Sequence, residues 1–308
     1  MKKIFIDGSA GTTGLKIFSR LQGRKDVELL TLDEKRRKDI SYRKDMINRS
    51  DITFLCLPDE AAKESVALCE NQNTVIIDTS TAHRTDPCFI YGMPELKGQK
   101  SKIISAKKIA NPGCHASGFI ALVEPLVSLE ILKSDARLSC FSLTGYSGGG
   151  KKMIAQYESE NFGAGRMYAL SQSHKHLAEM KMVCKLDSVP VFCPIVEPFF
   201  SGMQVTVTLF KDDLNGFTFN DIKEAYKSYY QSGLIYYSEE SENGFLNADN
   251  FSGYDDMSVS AFGNDDRIIL VSRFDNLGKG ACGAAIQNMN LVLGAYECET
   301  LNIKERKI

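Results

Sequence analysis

The sequence is poor in net charge and in long apolar runs, and each of these two shortages excludes a class of protein; its histidines number only four, so a catalytic histidine is easy to enumerate. Its 308 residues carry a formal net charge of −2 with a pI of about 6.2, so there is no large positive field to attract nucleic acid. No apolar run approaches the length of a membrane span. The short apolar run at the start ends at Asp7, well before a secretory signal would. We therefore expect neither nucleic acid nor membrane as a partner.

Cysteines are more numerous, but their pattern does not indicate cross-links. There are nine, an odd number, scattered without short paired spacings. This argues against a disulfide framework and against a zinc ribbon, and it fits the reducing cytoplasm.

The chain is also long enough for two domains.

The first third of the chain alternates strand and helix signals. Continuous apolar runs separated by helices are typical of buried parallel strands, so we predict an open α/β sheet of the Rossmann type. The predicted strands are Lys3–Asp7, Val27–Leu32, Asp51–Pro58 and Thr74–Asp78, and the predicted helices are Gly14–Leu21 and Asp59–Glu70.

The pattern changes after Cys114, where an α+β domain with a mostly antiparallel sheet is predicted. Val205 to Thr208 alternates as a half-exposed antiparallel strand does. The predicted elements are a helix over His115–Leu132, strands over Leu138–Thr144, Gln204–Phe210 and Arg267–Arg273, and a helix over Gly280–Leu293. We expect the last helix to pack on the first domain, which gives domains 1–114 with 280–308, and 115–279.

A glycine-rich turn, Gly8-Ser9-Ala10-Gly11-Thr12-Thr13-Gly14, follows the first strand and opens a helix. Glycines let a backbone approach a pyrophosphate that sits on a helix N-terminus. The spacing is GxxGxxG rather than GxGxxG, so the strand–turn–helix context carries the prediction of a dinucleotide site.

The second strand is followed by Asp33-Glu34-Lys35-Arg36-Arg37. An acidic residue here binds the ribose hydroxyl of NAD, and basic residues accommodate the 2′-phosphate of NADP. The three cations favour NADP, with Lys35 and Arg36 as candidate ligands, while Asp33 leaves NAD open.

Cys114 follows Asn111-Pro112-Gly113 and precedes an apolar helix. A thiol at a helix N-terminus is acidified by the helix dipole, which suits a nucleophile that attacks an acyl carbon. The other cysteines, such as Cys56, Cys69 and Cys140, lie in apolar contexts and are predicted to be buried and inert.

His174-Lys175-His176 is the richest source of a base for Cys114. We prefer His176, with His174 second, and the sequence does not separate them. His115 is adjacent to Cys114, but neighbours in a helix point apart. No third ligand accompanies the two histidines, so no metal is expected.

Two further segments have ligand-binding character. Arg84 follows Thr79-Ser80-Thr81-Ala82-His83 at the carboxyl end of a parallel strand, where an arginine suits a phosphate or a carboxylate; a structural ion pair is the alternative. Gly145 to Lys152 is rich in glycine, which indicates a loop close to a ligand or a flexible hairpin tip.

Taken together, these motifs resemble the N-acetyl-γ-glutamyl-phosphate reductase family in its shorter form, related to the aspartate-semialdehyde dehydrogenases. The match runs in order through nearly the whole chain. Its pieces are Gly8–Gly14, Tyr91–Leu96, Asn111–Cys114, His174–His176, Phe200–Met203, Asp275–Gly280 and Asn288–Leu291. The chain departs from the family at His115, where many relatives carry an aromatic residue.

The resemblance implies an NADPH-dependent reduction of N-acetyl-γ-glutamyl phosphate to the semialdehyde and phosphate through a thioester on Cys114, in arginine biosynthesis. It implies that the His174/His176 motif supplies the base, and that the protein is a homodimer or homotetramer. Arg84 and Glu197 are predicted to bind substrate. The predicted cofactor-binding residues are Gly8, Ser9, Gly11, Thr12, Thr13, Gly14, Lys35, Arg36, Ser147, Gly148 and Asn276.

Three alternatives stay open at this point. The chemistry is unchanged if the substrate is an aspartyl or aminoadipyl phosphate. A catalytically silent NADP-binding sensor would keep the cofactor turn and form no thioester. A cysteine hydrolase would use Cys114 and His176, but it would have no use for the Gly8–Gly14 turn.

Overall fold

The computed structural model describes residues 1–305, which fall into two compact units. The first unit contains Met1–Pro112 and Ala281–Leu301. The second contains Gly113–Gly280 and the described residues from Asn302 onward. Within the described chain, none of the helices combines the length and the apolar character that crossing a membrane requires.

The last described residues are held by the second unit. Asn302 donates its backbone N–H to the Asp255 carboxylate at 2.8 Å, and its carbonyl accepts from the Asp255 N–H at 2.7 Å. The sequence analysis placed this whole terminal segment with the first unit. The predicted domain boundaries and the roles assigned to the two domains stay predictions.

The first unit is built on a six-stranded sheet in which every pair of neighbouring strands is parallel. The strand order is β2-β1-β3-β4-β6-β5. The strands are β1 (Lys2–Asp7), β2 (Val27–Leu30), β3 (Ile52–Leu55), β4 (Val75–Asp78), β5 (Ile90–Tyr91) and β6 (Lys108–Ala110). The helices are α1 (Thr12–Leu21), α2 (Ile40–Arg49), α3 (Asp59–Leu68), α4 (Gln99–Ile104) and α9 (Gly283–Leu293).

Helices cover both faces of this sheet, which is why its central strands are apolar throughout. Every residue of β3 and of β4 is buried. Ile17 of α1 and Ile286 of α9 pack in one cluster with Phe54, and Ile47 of α2 packs with Phe5 in another. The predicted α/β fold with a parallel Rossmann-type sheet is confirmed.

The second unit has a seven-stranded mixed sheet in the order β11-β12-β13-β10-β7-β9-β8. Its neighbours are antiparallel except for β11 with β12 and β7 with β9. The strands are β7 (Ser139–Gly145), β8 (Arg166–Met167), β9 (Val191–Glu197), β10 (Met203–Phe210), β11 (Ile235–Tyr237), β12 (Met257–Gly263) and β13 (Arg267–Phe274). The helices are α5 (Cys114–Ser128), α6 (Gly150–Ser159), α7 (His176–Cys184) and α8 (Phe219–Tyr229).

One face of this sheet packs on α5 and the other is largely open. Along β10, Met203, Val205 and Val207 are buried, whereas the alternate residues are more exposed. This is the period-two pattern expected of a half-exposed strand. The predicted α+β architecture with a mostly antiparallel sheet is confirmed.

Several predicted elements were too long. α5 was predicted to reach Leu132, but it ends at Ser128, because Glu130 adopts a left-handed conformation with φ of 59° and breaks the helical path. β2 ends at Leu30 rather than Leu32. The helix predicted from Gly280 begins as a π-helical turn over Gly278–Cys282 before α9.

Candidate active site

The glycine-rich turn of the first unit connects β1 to α1 and has the geometry of a phosphate cradle. Gly8 has a φ of 88°, and a Cβ built on it would lie 2.3 Å from the carbonyl oxygen of Cys56. A Cβ on Gly14 would lie 2.5 Å from the carbonyl oxygen of Gly8. Only glycine fits at these two positions, which leaves the backbone accessible to a ligand.

The first turn of α1 completes the cradle. The helix begins at Thr12, and Gly11 at the capping position brings no side chain to the first N–H groups. Such groups and the helix dipole favour an anion. This turn and the first helical turn contain the predicted residues Gly8, Ser9, Gly11, Thr12, Thr13 and Gly14.

The predicted 2′-phosphate ligands lie in the loop after β2. Lys35 is exposed. Arg36 donates to the Asp39 carboxylate at 2.9 Å, and its guanidinium lies 4.0 Å from the centre of the Tyr42 ring. These contacts tie Arg36 to the start of α2, where Asp39 is the cap. The cofactor role of both residues stays a prediction.

Sequence reasoning missed a buried ion pair beside the turn. Arg43 of α2 donates to the Asp7 carboxylate at 3.0 Å, to Ser65 at 2.6 Å and to Glu64 at 2.7 Å. Asp7 is the last residue of β1 and immediately precedes Gly8. Arg43 therefore fixes the strand end from which the turn starts, and no local sequence signal marks this long-range pairing.

Arg84 is buried in the first unit, where it bonds to backbone. Its Nε donates to the carbonyl oxygen of Asn111 and its Nη2 to that of Thr79, both at 3.0 Å. The adjacent His83 bonds through Nδ1 to the Asp78 carboxylate at 2.6 Å. Through these bonds Arg84 joins the segments that follow two strands. Substrate binding by Arg84 stays a prediction.

In the second unit, Cys114 is the first residue of α5, with Gly113 as its N-cap. The Glu179 carboxylate, which is buried, accepts the Gly113 N–H at 2.8 Å. Glu179 lies in the first turn of α7, so it ties the starts of the two helices together. The thiol thus lies at the positive end of a helix, as the sequence predicts, where a thiolate is favoured.

His174 and His176 lie together, with ring centres 4.7 Å apart. The backbone N–H of His176 donates to Nδ1 of His174 at 3.2 Å. His174 therefore uses the lone pair of Nδ1 and carries its proton on Nε2. α7 begins at His176, so both histidines are held at a helix start.

His115, expected to point away from the site, lies against the two histidines. Its ring centre is 5.8 Å from that of His174 and 5.6 Å from that of His176. Burial, and then the charge of His174, lowers the pKa of His115 to about 3. It is therefore neutral at working pH and makes a poor base.

Tyr168 is a site residue that sequence reasoning missed. Its hydroxyl lies 2.7 Å from Nε2 of His115, and its ring packs edge-on against His174 at 5.8 Å. Burial, and then the neighbouring charge of Cys114, raises the pKa of the Tyr168 phenol. A lone tyrosine in an irregular segment carries no local signal that would have revealed it.

The glycine-rich loop after β7 is built around Asn276. Nδ2 of Asn276 donates to Oγ of Ser147 at 3.0 Å, and its Oδ1 accepts the Gly202 N–H at 3.0 Å. A Cβ on Gly148 would lie 3.2 Å from the same amide nitrogen. The structure thus brings Ser147, Gly148 and Asn276 together, and their contact with a cofactor stays a prediction.

Glu197, the remaining predicted substrate ligand, is the last residue of β9. It pairs in register with Gly145, the last residue of β7, so it lies at the strand edge from which the loop to Ser147 starts. Its carboxylate is close to Gly165, where a Cβ would lie 2.5 Å from Oε1. Substrate binding by Glu197 stays a prediction.

Three of the other cysteines lie in surroundings that oppose ionisation of the thiol. Burial raises the pKa of Cys56 to about 12, and it also raises the pKa of Cys140 and of Cys69. Thiols of this kind remain protonated and unreactive. Over residues 1–305, no group of three or more histidine, cysteine or acidic side chains is arranged to hold a metal ion.

Comparison with known protein families matches both units. The family described as "Semialdehyde dehydrogenase, NAD binding domain" matches residues 3–104, and "Semialdehyde dehydrogenase, dimerisation domain" matches residues 114–276. The first match contains the glycine-rich turn. The second begins at Cys114.

Curated relatives cover almost the whole chain. The N-acetyl-gamma-glutamyl-phosphate reductases of Allorhizobium ampelinum and Sinorhizobium medicae are each 44% identical over 307 residues, which is 95% of this chain and 99% of theirs.

Solved structures share the fold at low sequence identity. The aspartate semialdehyde dehydrogenase of Francisella tularensis aligns with a TM-score of 0.72 at 15% identity, covering 95% of this chain and 100% of that one. The Candida albicans enzyme, crystallised with NADP, aligns with a TM-score of 0.68 at 14% identity, covering 96% and 99%.

Proposed function

Because the chain belongs to the N-acetyl-γ-glutamyl-phosphate reductase family, we propose that it reduces N-acetyl-γ-glutamyl phosphate with NADPH. The products are N-acetylglutamate semialdehyde and phosphate, and the reaction is a step of arginine biosynthesis. The observation that carries the proposal is Cys114 at the start of α5, with its N-cap tied by Glu179 to the helix that begins at His176. The resemblance noted from the motifs is confirmed.

The first unit fits a dinucleotide. The turn at Gly8 and Gly14 has no room for a Cβ, and the start of α1 offers N–H groups with no side-chain cap. Both features suit a pyrophosphate. When bound, NADPH supplies the hydride that reduces the acyl group.

Cys114 is the nucleophile in this proposal. Its thiolate, favoured by the helix N-terminus, attacks the acyl carbon, and the carbon–oxygen bond to phosphate breaks. The thioester divides one difficult displacement into two easier steps. After reduction, the carbon–sulfur bond breaks, which returns the Cys114 thiolate and releases the aldehyde.

His176 is the better base of the two histidines. Nδ1 of His174 accepts the His176 N–H, so protonating that atom would break an existing hydrogen bond. We therefore assign His176 to accept the thiol proton, to give it to the oxyanion formed on reduction, and to take it back as the carbon–sulfur bond breaks and the aldehyde carbonyl forms. His174 serves as a fixed Nε2–H donor.

The second unit also supports self-association. Val191, Ile269 and Phe141 lie on the open face of the mixed sheet and are 58%, 44% and 44% exposed. A sheet face with such side chains is covered in a stable assembly. The family that matches this unit is described as a dimerisation domain. We therefore propose that this face joins two copies of the chain in a homodimer, or in each half of a homotetramer.

A cytoplasmic location follows from the chemistry. The mechanism requires Cys114 as a reduced thiol, and none of the nine cysteines, all within residues 1–305, forms a disulfide. Reducing conditions keep a reactive thiol in that state.

The test runs the reaction backwards. Purified protein is mixed with NADP⁺, phosphate and N-acetylglutamate semialdehyde, and NADPH formation is followed by absorbance, with aspartate semialdehyde in parallel. We expect phosphate-dependent NADPH formation with the acetylated substrate. Activity with aspartate semialdehyde alone would keep the mechanism and change the substrate. If the protein binds NADP⁺ but turns over neither compound, the result would favour the alternative that it is a cofactor-binding sensor.

A further inference from the structure

Gln172 makes two side-chain hydrogen bonds to the backbone of a single residue of β9. Its Nε2 donates to the carbonyl oxygen of Phe192, and its Oε1 accepts the Phe192 N–H, both at 2.8 Å. Gln172 lies two residues before His174, in the segment that connects β8 to α7. A side-chain amide that donates to and accepts from the same residue does what the peptide groups of a neighbouring strand do.

The amide lies where the edge strand would have continued. β8 pairs with β9 in antiparallel register, and at the next position the Tyr168 N–H donates to the carbonyl oxygen of Pro194 at 3.1 Å. Residues that exchange hydrogen bonds in an antiparallel ladder recur at every second position. The next such pair would join residue 170 to Phe192. The side chain of Gln172 takes the place of residue 170 and completes this edge of the sheet.

The backbone leaves the strand direction through two left-handed residues. Ala169 has a φ of 54° and Gln172 a φ of 55°. The Gln172 N–H donates to the carbonyl oxygen of Ala169 at 3.0 Å, which closes a tight turn. Residues with a Cβ rarely adopt this conformation, and it persists where surrounding contacts hold it. The two bonds to Phe192 are contacts of this kind.

Burial in a hydrophobic core does not fix this segment. Residues 169 to 175 are all at least partly exposed, and Leu170 is 75% exposed. The first buried residue after the turn is His176, at the start of α7. A segment with so little buried surface is held by its specific contacts, and it moves when they are removed.

Phe192 connects the bonds of Gln172 to the histidine pair. Its side chain is buried, and its ring centre lies 5.1 Å from that of His174. His174 in turn accepts the His176 N–H at Nδ1. The residue whose backbone Gln172 binds is therefore the one against which the His174 ring packs. A shift of the segment along β9 would separate His174 from Phe192 and change the orientation of both imidazoles.

We propose that Gln172 is a positioning residue for His174 and His176, which it holds in place by completing the edge of β9 with its side-chain amide. The inference rests on the proposed function, because it takes these two histidines as the groups that move protons for Cys114. It gives a part in the reaction to an exposed glutamine that has no chemistry of its own.

The first measurement follows the histidines without substrate. In protein labelled with ¹⁵N at its four histidines, NMR at about pH 8.5, where an ordinary imidazole is neutral, reports which ring nitrogen carries the proton. We expect His174 to be protonated on Nε2, because its Nδ1 accepts the His176 N–H; a His174→Gln variant assigns its signals. In Gln172→Leu these signals should move toward those of a mixture of tautomers. The signals of His83, which lies in the first unit, should stay in place.

The second measurement is the kinetics of the reverse reaction with NADP⁺, phosphate and N-acetylglutamate semialdehyde. Gln172→Leu should lower kcat by at least roughly tenfold and by up to about a hundredfold, the cost of displacing a catalytic group by about 1 Å. The KM for NADP⁺ should be unchanged. Gln231→Leu, the same change at another exposed glutamine of the second unit, is the matched control and keeps the wild-type values.

Gln172→Asn separates the hydrogen bonds from the turn. Asparagine keeps an amide and tolerates the left-handed conformation, but its side chain is one methylene too short to make both bonds to Phe192. It should lower kcat as Gln172→Leu does. Wild-type kcat in Gln172→Asn would show that the turn alone positions the segment, and would refute the proposal.

The remaining outcomes are also decisive. An unchanged kcat in Gln172→Leu refutes the positioning role, even if urea unfolding shows a less stable protein, because Gln172 would then only stabilise the sheet edge. A lower kcat with unchanged His174 signals refutes it as well, since the histidine would not have moved. Shifted His174 signals in a protein that turns over neither semialdehyde would keep the placement of His174 by Gln172 and reject the proposed function.

Discussion

The buried ion pair between Arg43 and Asp7 leads to a quantitative prediction for the stability of the first unit. Arg43→Leu would leave the Asp7 carboxylate, which is 2% exposed, with the Ser65 hydroxyl as its remaining side-chain donor among the described residues. Removing one partner of a buried pair costs about 3–5 kcal/mol, because the other charge stays buried without compensation. We expect a loss of this size in the free energy of unfolding.

The same helix provides a matched control. Arg49 of α2 pairs with Asp45 at 3.0 Å, but the two side chains are 55% and 50% exposed. An exposed pair of this spacing contributes about 0.3–0.5 kcal/mol. Arg49→Leu should therefore be nearly neutral, although it makes the same chemical change in the same helix.

Urea unfolding followed by circular dichroism measures both variants, and calorimetry separates the transitions of the two units. Adding Asp7→Asn to Arg43→Leu should recover part of the loss, because a neutral amide is less costly to bury than a carboxylate. A loss below about 1 kcal/mol for Arg43→Leu, within the range of exposed pairs, would refute the reasoning, as would a double variant less stable than the single one.

Four further predictions follow from the two units. Cys114→Ser should lower turnover by at least roughly a thousandfold while fluorescence titration shows unchanged NADPH binding; residual activity near wild type would move the nucleophile elsewhere. Gly8→Ala should abolish NADPH binding, since its φ is 88° and the added Cβ would overlap a carbonyl oxygen, and binding at wild-type affinity would contradict the cradle. Val191→Asp should shift the protein to a smaller species in size-exclusion chromatography, and an unchanged elution volume would place the interface elsewhere. Burial lowers the pKa of His115 to about 3, so this imidazole takes up a proton at a higher pH in the unfolded chain than in the folded protein. The second unit should therefore lose stability as the pH falls below about 6.5. His115→Gln should reduce this pH dependence in acid unfolding curves.

The sequence was most informative where one kind of interaction dominates. The strands β1, β3 and β4 are buried on both sides, so their apolar runs identify them and the parallel sheet they build. The helix start at Cys114 was predicted correctly because Pro112-Gly113 before an apolar segment marks the start of a helix. Both signals are local, and that is why they could be read without the structure.

The sequence was less informative where side chains from distant segments define the environment. β12 was not predicted, because Ser258 and Ser260 are buried in it and break the apolar pattern. His115 was expected to point away from the site, yet successive side chains on a helix diverge by only about 100°, and His115 packs against His174 and His176. Tyr168 was missed because it lies in an irregular segment, where the sequence has no helical or strand periodicity to indicate its position.

The position of α9 bears on how the chain acquires its structure during synthesis. Ala285, Ile286 and Met289 are fully buried in the same cluster as Ile4 of β1. The parallel sheet is therefore translated first but lacks part of its core until α9 has left the ribosome. The mixed sheet, encoded between the two segments, is complete earlier. In a vectorially made chain, the nucleotide-binding half would be the last to become resistant to proteolysis.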